Sequence, residues 1–367
     1  MQLSLPQLRY LRLRAQGLAG PPLSTPAAVV ARLVGVQAQE EAAARLAIRP
    51  RSAGITAAAV DQARLTRRDV VYTWAMRSTL HFVPASDLRW LLDLLGPLFV
   101  RLGRRRRVQL GIDGDVGRAA MQAIDEILAA EGPLTREELA ARLASRDIPT
   151  EGQAIYHLIG RAGLEAILCV GPPRDGKATY VHLAGWLLLP AAEAGEDPAV
   201  RLARRYVAGY GPVGPEDFAH WSGLPVREAR AAFEAITKEL LAATFDGETL
   251  WLLPEQAEWL AQPPAGGPLV HLLPGYDAYL LGYRSRDLIV APENARQIHP
   301  GGGLIRPTLL VDGLAAGVWR LARRSGRTQL ILRPFAPLNG DVLAALAEEV
   351  AGVGRFLETT AELVVEQ

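Results

Sequence analysis

Cysteine is almost absent from the 367-residue chain, which contains Cys169 and no other. A disulfide framework within the chain is therefore excluded, as is any metal or redox site built from paired cysteines. A lone thiol is typical of a protein kept in a reducing compartment, so we expect a cytoplasmic location close to the nucleoid. The N-terminus has no apolar core of signal-peptide length and no other apolar run approaches a membrane span, so we expect no membrane contact.

Lysine is also scarce. Of the 40 basic residues, two are lysines, Lys177 and Lys238, which leaves 38 arginines. With the abundance of alanine, this is typical of coding bias in a GC-rich genome and does not by itself indicate nucleic-acid binding. The formal net charge of +1 argues against unspecific polyanion binding. Any DNA-binding surface must be local, and the run Arg104–Arg107 is either a solvated linker or a phosphate contact.

Familiar catalytic motifs are missing as well. The sequence has no Gly-x-Ser-x-Gly, no His-Glu-x-x-His, no phosphate-binding loop and no dinucleotide-binding glycine motif in a suitable context. Its six histidines never stand four residues apart, so a metal site would have to be assembled from distant segments. We therefore expect neither a metal nor a cofactor. Hydrophobic residues make up 49% of the chain, which excludes global disorder.

What is present is one pattern of elements that repeats. Residues 116–183 predict three helices and a two-stranded ribbon, with a capping box of Thr135 and Glu138 at the second helix. Residues 198–254 repeat this order, with an Asp-Gly turn in the ribbon. Residues 4–85 fit a third copy, with a first helix that begins at Ser4 and a second that follows the cap Ser24-Thr25-Pro26. Three helices followed by a hairpin define a winged helix, whose third helix can enter a DNA groove.

The C-terminal part differs in character. After Pro263–Gly267 the sequence contains short strands bounded by glycine and proline, among them residues 287–291, which predict a small barrel or sandwich with a final helix. The sequence therefore predicts an α+β fold with tandem winged helices and a mainly β domain. The predicted boundaries are 1–103 for winged helix 1, 104–190 for winged helix 2, 191–262 for winged helix 3 and 263–367 for the C-terminal β domain.

Gln37-Ala38-Gln39 follows the second predicted helix. Two glutamines at positions i and i+2 point about 200° apart on a regular helix, and they share a face only where the backbone is extended or the helix ends. From the residues alone, solvent-exposed polar side chains at a helix end are the simpler interpretation.

Several segments together resemble a known family, the tandem winged-helix DNA glycosylases that unhook interstrand crosslinks. The resemblance rests on Gln37-Ala38-Gln39, the segment Tyr72–His81, the further winged helices, Pro274–Asp277 and Val311–Gly313, and it extends over essentially the whole chain. It is strongest to the azinomycin B resistance branch, whose signature is Gln-apolar-Gln. It implies a C-shaped molecule with Gln37 and Gln39 as catalytic residues on the concave face.

The resemblance also implies that a β-hairpin of the C-terminal domain engages DNA, with a His-apolar-Pro element in some members. We place that hairpin between Arg286 and Arg306, where His299-Pro300 lacks the intervening residue. The predicted DNA-binding residues are Arg77 and Thr79 in the Tyr72–His81 segment, and Arg286, His299 and Arg306 in the hairpin.

The chemistry of two carboxamides restricts the substrate. An amide cannot protonate a leaving base, but an N7-alkylated purine already carries positive charge and leaves neutral, so holding a water and stabilising the sugar cation suffice. The division of labour between Gln37 and Gln39 stays open. We expect a monofunctional, monomeric glycosylase without an obligate protein partner that excises such bases and unhooks N7-linked crosslinks in double-stranded DNA, as self-resistance to an alkylating agent. The alternatives are a winged-helix transcription regulator and a protein that sequesters the agent.

Overall fold

The computed structural model describes residues 1–188, 195–262, 266–324 and 327–366. The chain divides into two compact units. Met1–Asp61 and Ala199–Gln367 form the first, which we call the discontinuous unit, and Gln62–Pro198 form the second, the central unit. The predicted boundary at residues 190 and 191 and the stretch 263–265 lie outside the described residues. The fold is α+β, as the sequence predicts.

The first part of the discontinuous unit is mainly helical. Ser4 forms a reciprocal capping box with Gln7, and the Thr25 side chain accepts a hydrogen bond from Ala28 N, so both caps begin helices where the sequence predicts them. A 3-10 turn at Arg49–Arg51 follows the third helix. The elements are α1 (Leu5–Ala15), α2 (Pro26–Arg32), β1 (Val36–Gln37), α3 (Glu41–Ile48) and α4 (Ala57–Asp61).

The central unit starts with a π-helical turn at Gln62–Arg67. Its further elements are β2 (Val70–Trp74), β3 (Leu80–Pro84), α5 (Leu88–Leu102), α6 (Arg104–Gln109), α7 (Gly114–Glu131), β4 (Leu134–Thr135), α8 (Arg136–Ala144), α9 (Ala154–Leu164), β5 (Leu168–Val170), β6 (Thr179–His182) and α10 (Leu183–Trp186). The strands are hydrogen-bonded in the order β3-β2-β5-β6-β4. The predicted capping box of Thr135 and Glu138 is confirmed at the start of α8.

The core of the central unit fixes the position of α9. Ile124 of α7, Leu139 of α8 and Leu158 of α9 lie in one buried cluster. On another side of α9, a Cβ added at Gly163 would lie 2.3 Å from Cε3 of Trp74, a separation that only glycine permits. The C-terminal half of α9 therefore packs directly on β2.

The discontinuous unit continues with helices and a hairpin: α11 (Pro198–Tyr210), α12 (Pro215–Ser222), α13 (Val226–Ile236), β7 (Leu241–Phe245), β8 (Glu248–Leu252) and α14 (Pro254–Glu258). The predicted Asp-Gly turn is confirmed between β7 and β8. Asp246 and Gly247 have φ values of 49° and 78°, the left-handed pair that a tight hairpin turn requires. Tyr206 of α11 packs on Phe218 and Trp221 of α12, with ring centroids 5.5 and 4.9 Å apart, and thereby joins the two helices.

The C-terminal elements are β9 (Val270–Leu273), α15 (Ala278–Leu281), α16 (Ala295–Ile298), β10 (Thr308–Val311), β11 (Leu314–Arg324), β12 (Arg327–Pro334), α17 (Gly340–Phe356) and β13 (Ala361–Val365). They form one open sheet in the order β13-β12-β11-β10-β9. The predicted barrel or sandwich is therefore wrong. The sheet needs neither closure nor a second sheet because α17 packs against β9 and β13.

One predicted strand, at residues 287–291, is also wrong. Ile289 N and Val290 N both donate to Arg286 O at 2.8 Å, which makes a turn, and both side chains are buried from that turn. Their apolar character reflects burial and not strand pairing. No helix in the described ranges is both long and apolar enough to cross a membrane.

Candidate active site

Gln37 and Gln39 lie on the extended segment that follows α2. Val34, which is fully buried, has a φ of 59° and turns the chain out of the helix. A β-branched residue in the left-handed region is costly, and such strain concentrates at functional sites. The segment 36–39 then alternates: Gln37 is half-buried, Ala38 is 0% exposed and Gln39 is exposed. Extended backbone therefore presents both glutamines on one face, with Ala38 on the opposite side.

The two carboxamides are in direct contact. Gln37 Nε2 donates to Gln39 Oε1 over 2.6 Å. Each carboxamide has one acceptor oxygen and two N–H donors, so this bond commits one donor of Gln37 and sets the orientation of the Gln39 amide. The pair is a preoriented polar surface that can position a water molecule and contact developing charge.

Tyr276 and Glu40 lie beside this segment. Burial and, after it, the negative charge of Glu40 raise the pKa of the Tyr276 phenol above its usual value. Tyr276 is a further non-glycine residue in the left-handed region, with a φ of 60°. Glu40 is exposed and directly precedes α3. A phenol with a raised pKa keeps its proton, so Tyr276 can donate a hydrogen bond but is a weak acid.

Asp277 forms a buried ion pair with Arg51. The two Asp277 oxygens accept from Arg51 Nη1 and Nη2, each over 2.8 Å, and both side chains are 0% exposed. The remaining Arg51 donors reach Gln16 O, Gln16 Oε1 and Ala47 O, so all five N–H groups are used. Asp277 is thus sealed from solvent, and its role is to hold the Pro274–Asp277 element against the end of α3.

Sequence reasoning missed Arg51. One arginine among 38 carries no local signal, and its partner Asp277 is 226 residues away along the chain. The Pro274–Asp277 element was identified by resemblance, and the structure assigns its two polar residues to different surroundings. Tyr276 is only half-buried, whereas Asp277 belongs to the core.

The segment between Arg286 and Arg306 is not a β-hairpin, which corrects the prediction. It consists of a 3-10 turn at Pro292–Asn294, α16 and a tight turn closed by an isolated bridge between Gly301 and Leu304. Proline has no N–H to donate to a strand ladder, and three consecutive glycines favour a turn. The predicted DNA-engaging element is thus an irregular loop.

Three predicted DNA-binding residues lie in that loop. Arg286 Nε donates to Leu280 O over 2.7 Å and ties the start of the loop to α15. Arg306 Nη1 donates to Gln297 O over 3.1 Å and holds the loop backbone. Burial, and then the charge of Arg286, lower the pKa of His299 to about 4. His299 is consequently neutral at physiological pH, and its Nε2 has no hydrogen-bond partner among the described residues.

The other two predicted DNA-binding residues, Arg77 and Thr79, belong to the central unit. They lie in the turn between β2 and β3, where Arg77 has a φ of 55° and is half-buried. Thr79 Oγ1 donates to Met76 O over 3.1 Å, and the buried His81 ring bonds Thr79 O through Nδ1 at 2.9 Å. Thr79 and His81 therefore shape the turn. No group of three His, Cys, Asp or Glu side chains in the described part of the chain could hold a metal ion.

Comparison with known proteins agrees with the resemblance seen in the sequence. Residues 30–356 match the family described as DNA glycosylase AlkZ-like. The chain is 29% identical over 366 residues to the interstrand DNA cross-link repair glycosylase of Streptomyces sahachiroi, covering 91% of this chain and 92% of that protein. The solved structure of Streptomyces sahachiroi DNA glycosylase AlkZ is similar with a TM-score of 0.81 and 27% identity, over 99% of this chain and 100% of that chain. The chain therefore belongs to the AlkZ-like DNA glycosylase family, which confirms the family predicted from its sequence.

Proposed function

We propose that this protein hydrolyses N7-alkylated purines from double-stranded DNA and unhooks N7-linked interstrand crosslinks, with Gln37 and Gln39 as its catalytic residues. The observation that carries the proposal is the contact between the two carboxamides on an extended segment of a family member. The Streptomyces sahachiroi relative, which is named for crosslink repair, supports the same substrate class.

The proposed chemistry follows from the groups around the two glutamines. The carboxamides position a water molecule for attack at C1′ and stabilise the developing sugar cation with their carbonyl oxygens. Asp277 is sealed by Arg51, and Tyr276 is a weak acid, so neither protonates a leaving base. An N7-alkylpurine needs no such proton because its positive charge is lost when the glycosidic bond breaks.

We also propose that the reaction stops at an abasic site. Cleavage through a Schiff base needs an amine nucleophile. Lys177 lies 3.7 Å from the Glu137 carboxylate, and the N-terminal amine of Met1 donates to Ala242 O over 3.1 Å. Lys238 belongs to a 3-10 turn after α13. None of these amines comes from the segment that carries Gln37 and Gln39.

For the architecture we propose three winged helices at 1–103, 104–190 and 191–262 and a C-terminal domain at 263–367, arranged as a C around the duplex. The order α7-α8-α9-β5-β6 and its repeat α11-α12-α13-β7-β8 support two of these modules. We propose that the protein acts as a monomer in the cytoplasm, on the DNA of the nucleoid. Arg77, Thr79, Arg286, His299 and Arg306 remain the proposed DNA contacts.

A transcription regulator is the competing interpretation, and the packing of α9 disfavours it. The third helix of a winged helix reads bases only when its exposed face fits into a groove. In α9, Gly160 and Gly163 lie against the Trp74 ring, so the C-terminal half of the helix is covered. Tyr156 in its first turn is the one residue of α9 that is largely exposed, and His157, Gly160 and Arg161 are only partly exposed.

The experiment that tests the proposed function measures base release from three matched duplexes, containing N7-methylguanine, an N7-linked crosslink or uracil. We expect the protein to release N7-methylguanine and to unhook the crosslink, leaving abasic sites in both duplexes. We expect no release of uracil. Efficient uracil release would reveal a general acid and overturn the leaving-group argument. Binding of a free alkylating agent without base release would instead indicate sequestration.

The catalytic assignment is tested by substitution. Gln37→Ala and Gln39→Ala should each lower base release by roughly 10- to 1000-fold, the scale for one lost polar contact in a transition state, while duplex affinity changes only a few-fold. Gln122→Ala, which removes an exposed carboxamide from α7, is the matched control and should react like the wild type. Wild-type rates in both active-site variants would show that the glutamines are not catalytic.

A further inference from the structure

The end of α5 and the whole of α6 form an unusually basic surface in the central unit. Five arginines stand within residues 101–107 of a chain whose net charge is +1. Asp113 lies 3.1 Å from Arg104 Nε and 3.4 Å from Arg107 Nε, so one carboxylate is shared by two of these arginines. Arg107 is buried, and the other four are exposed.

Three of the exposed arginines are not neutralised. Arg106 donates to two amide oxygens, Gln109 Oε1 at 3.0 Å and Gln153 Oε1 at 2.7 Å. The side chains of Arg101 and Arg105 have no ion pair with any residue in the described ranges. Burial is the main cause of the lowered pKa of His157 in α9, and the charges of Arg106 and Arg107 lower it further. The positive charge of these arginines therefore also acts on α9.

This arrangement contrasts with the rest of the same unit. Three other exposed arginines, on α7, at α8 and just beyond it, each lie against a carboxylate: Arg118 against Asp115, Arg142 against Glu131 and Arg146 against Glu126. A solvated helical surface usually has such pairs. Arg101, Arg105 and Arg106 depart from that rule, which favours an external anionic partner over a solvated linker.

The surface continues onto two neighbouring helices. Gln153, which Arg106 contacts, precedes α9, and Tyr156 lies one turn further on the same face and is 55% exposed. The Arg136 guanidinium of α8, which also pairs with Glu137 at 2.7 Å, lies over the Tyr156 ring, 4.5 Å from its centroid. We call this surface the basic face; its residues are Arg101, Arg104, Arg105, Arg106, Arg136, Gln153 and Tyr156.

We infer that the basic face of the central unit binds the phosphate backbone of duplex DNA. The inference rests on DNA being the substrate in the proposed function, and it adds a surface that positions the duplex. Planar guanidinium groups match phosphate oxygens with two parallel hydrogen bonds, and arginine sheds its hydration more readily than lysine. Phosphate contacts of this kind fix register and orientation without reading sequence.

The test uses the triple variant Arg101→Gln, Arg105→Gln, Arg106→Gln in the full chain. Affinity for a lesion-free duplex is measured by fluorescence anisotropy over a range of salt concentrations. Each lost phosphate contact reduces the slope of log K against log salt by about 0.9, so three contacts reduce it by about 2.7. When the salt concentration rises from about 50 to 200 mM, both proteins lose affinity for the duplex. The factor by which the wild type weakens should be about 40 times the factor for the variant.

The matched control removes the same charge from the same unit. It is the triple variant Arg118→Gln, Arg142→Gln, Arg146→Gln, whose arginines are already paired, and its salt slope should stay close to that of the wild type. Single-turnover base release at saturating enzyme should match the wild type in this control variant. The single variant Arg105→Gln breaks no ion pair and keeps the test valid if a triple variant unfolds.

An unchanged slope in the basic-face variant, or an equal reduction in both triple variants, would overturn the inference. An acidic protein as the true partner would produce the first of these results. The proposed function is tested separately by wild-type release of N7-methylguanine. If the wild type releases base and the slope is unchanged, only the basic face is refuted; if it binds with the expected slope but releases no base, only the proposed function is refuted.

Discussion

The Arg51–Asp277 ion pair supports a prediction about stability that can be worked out from its contacts. Asp277→Ala removes both acceptors of the Arg51 Nη groups and the acceptor of Tyr279 N, and it leaves a guanidinium unpaired in a fully buried position. Removing one partner of a buried ion pair costs about 3–5 kcal/mol, because the remaining charge is neither solvated nor paired. Since domains are stable by only about 5–15 kcal/mol, this is a large fraction of the total.

The double variant Arg51→Met, Asp277→Leu provides the internal comparison. It removes both charges together, so no buried ion is left alone, although Gln16 and Ala47 lose their hydrogen-bond donor. We expect its free energy of unfolding to exceed the value given by adding the two single substitutions by about 1–3 kcal/mol, the usual range for residues in direct contact.

The assay is urea unfolding followed by tryptophan fluorescence and far-UV circular dichroism. The control is Glu362→Ala, which breaks the exposed ion pair of Arg327 and Glu362 and should cost less than about 1 kcal/mol. If Asp277→Ala is no more destabilising than this control, the buried pair does not hold the Pro274–Asp277 element in place and the reasoning is refuted.

Two further predictions concern the central unit. Burial lowers the pKa of His81 from 6.5 to about 4; the hydrogen bond to Thr79 O opposes this shift and the charge of Arg77 adds to it. Between pH 4 and 6.5 the folded state therefore binds fewer protons than the unfolded state. The free energy of unfolding should fall by about 3 kcal/mol as pH drops from 6.5 to 4. His81→Asn, which keeps a donor for Thr79 O, should flatten this dependence in urea titrations at several pH values, and an unchanged slope would rule His81 out as its source. Gly163→Ala should destabilise the protein by about 1–3 kcal/mol in thermal melts, because the added Cβ meets the Trp74 ring. The control Gly340→Ala has open space around its Cβ and should be neutral in the same melts. Equal effects of the two substitutions would contradict the packing of α9 on β2.

Features that depend on neighbouring residues were predictable from the sequence. Thr25 and Thr135 begin helices because a side-chain oxygen meets an N–H group three residues later, and Asp246-Gly247 forms a turn because those two residues tolerate positive φ. The shared face of Gln37 and Gln39 also follows from local backbone geometry once the segment is known to be extended. Each of these features involves atoms that are close along the chain.

Features that depend on distant residues were not predictable. The barrel or sandwich was wrong because α17 and the parallel strand β13 complete the sheet, and neither relation is encoded near β9. Arg51 could not be distinguished from other arginines until Asp277 was placed against it. The loop from Arg286 to Arg306 contains β-branched residues, but their burial in a turn, and not strand pairing, accounts for them.

In the proposed function, the exposure of the glutamines explains why amides and a cationic leaving group belong together. A carboxyl group exposed to water is ionised at neutral pH, and burial is one common way to keep it protonated, so an acid catalyst for a neutral base is favoured by an enclosed site. A base that is tied to both strands cannot rotate into an enclosed site, so a crosslink requires an open one. Gln39 is exposed and Gln37 is only half-buried. This exposure suits the open site that a crosslink requires and not the enclosed site that favours an acid catalyst. Carboxamides keep their donors and acceptors at any exposure. An open site therefore favours amides as catalytic groups, and the substrate must then carry the positive charge that an acid would otherwise provide.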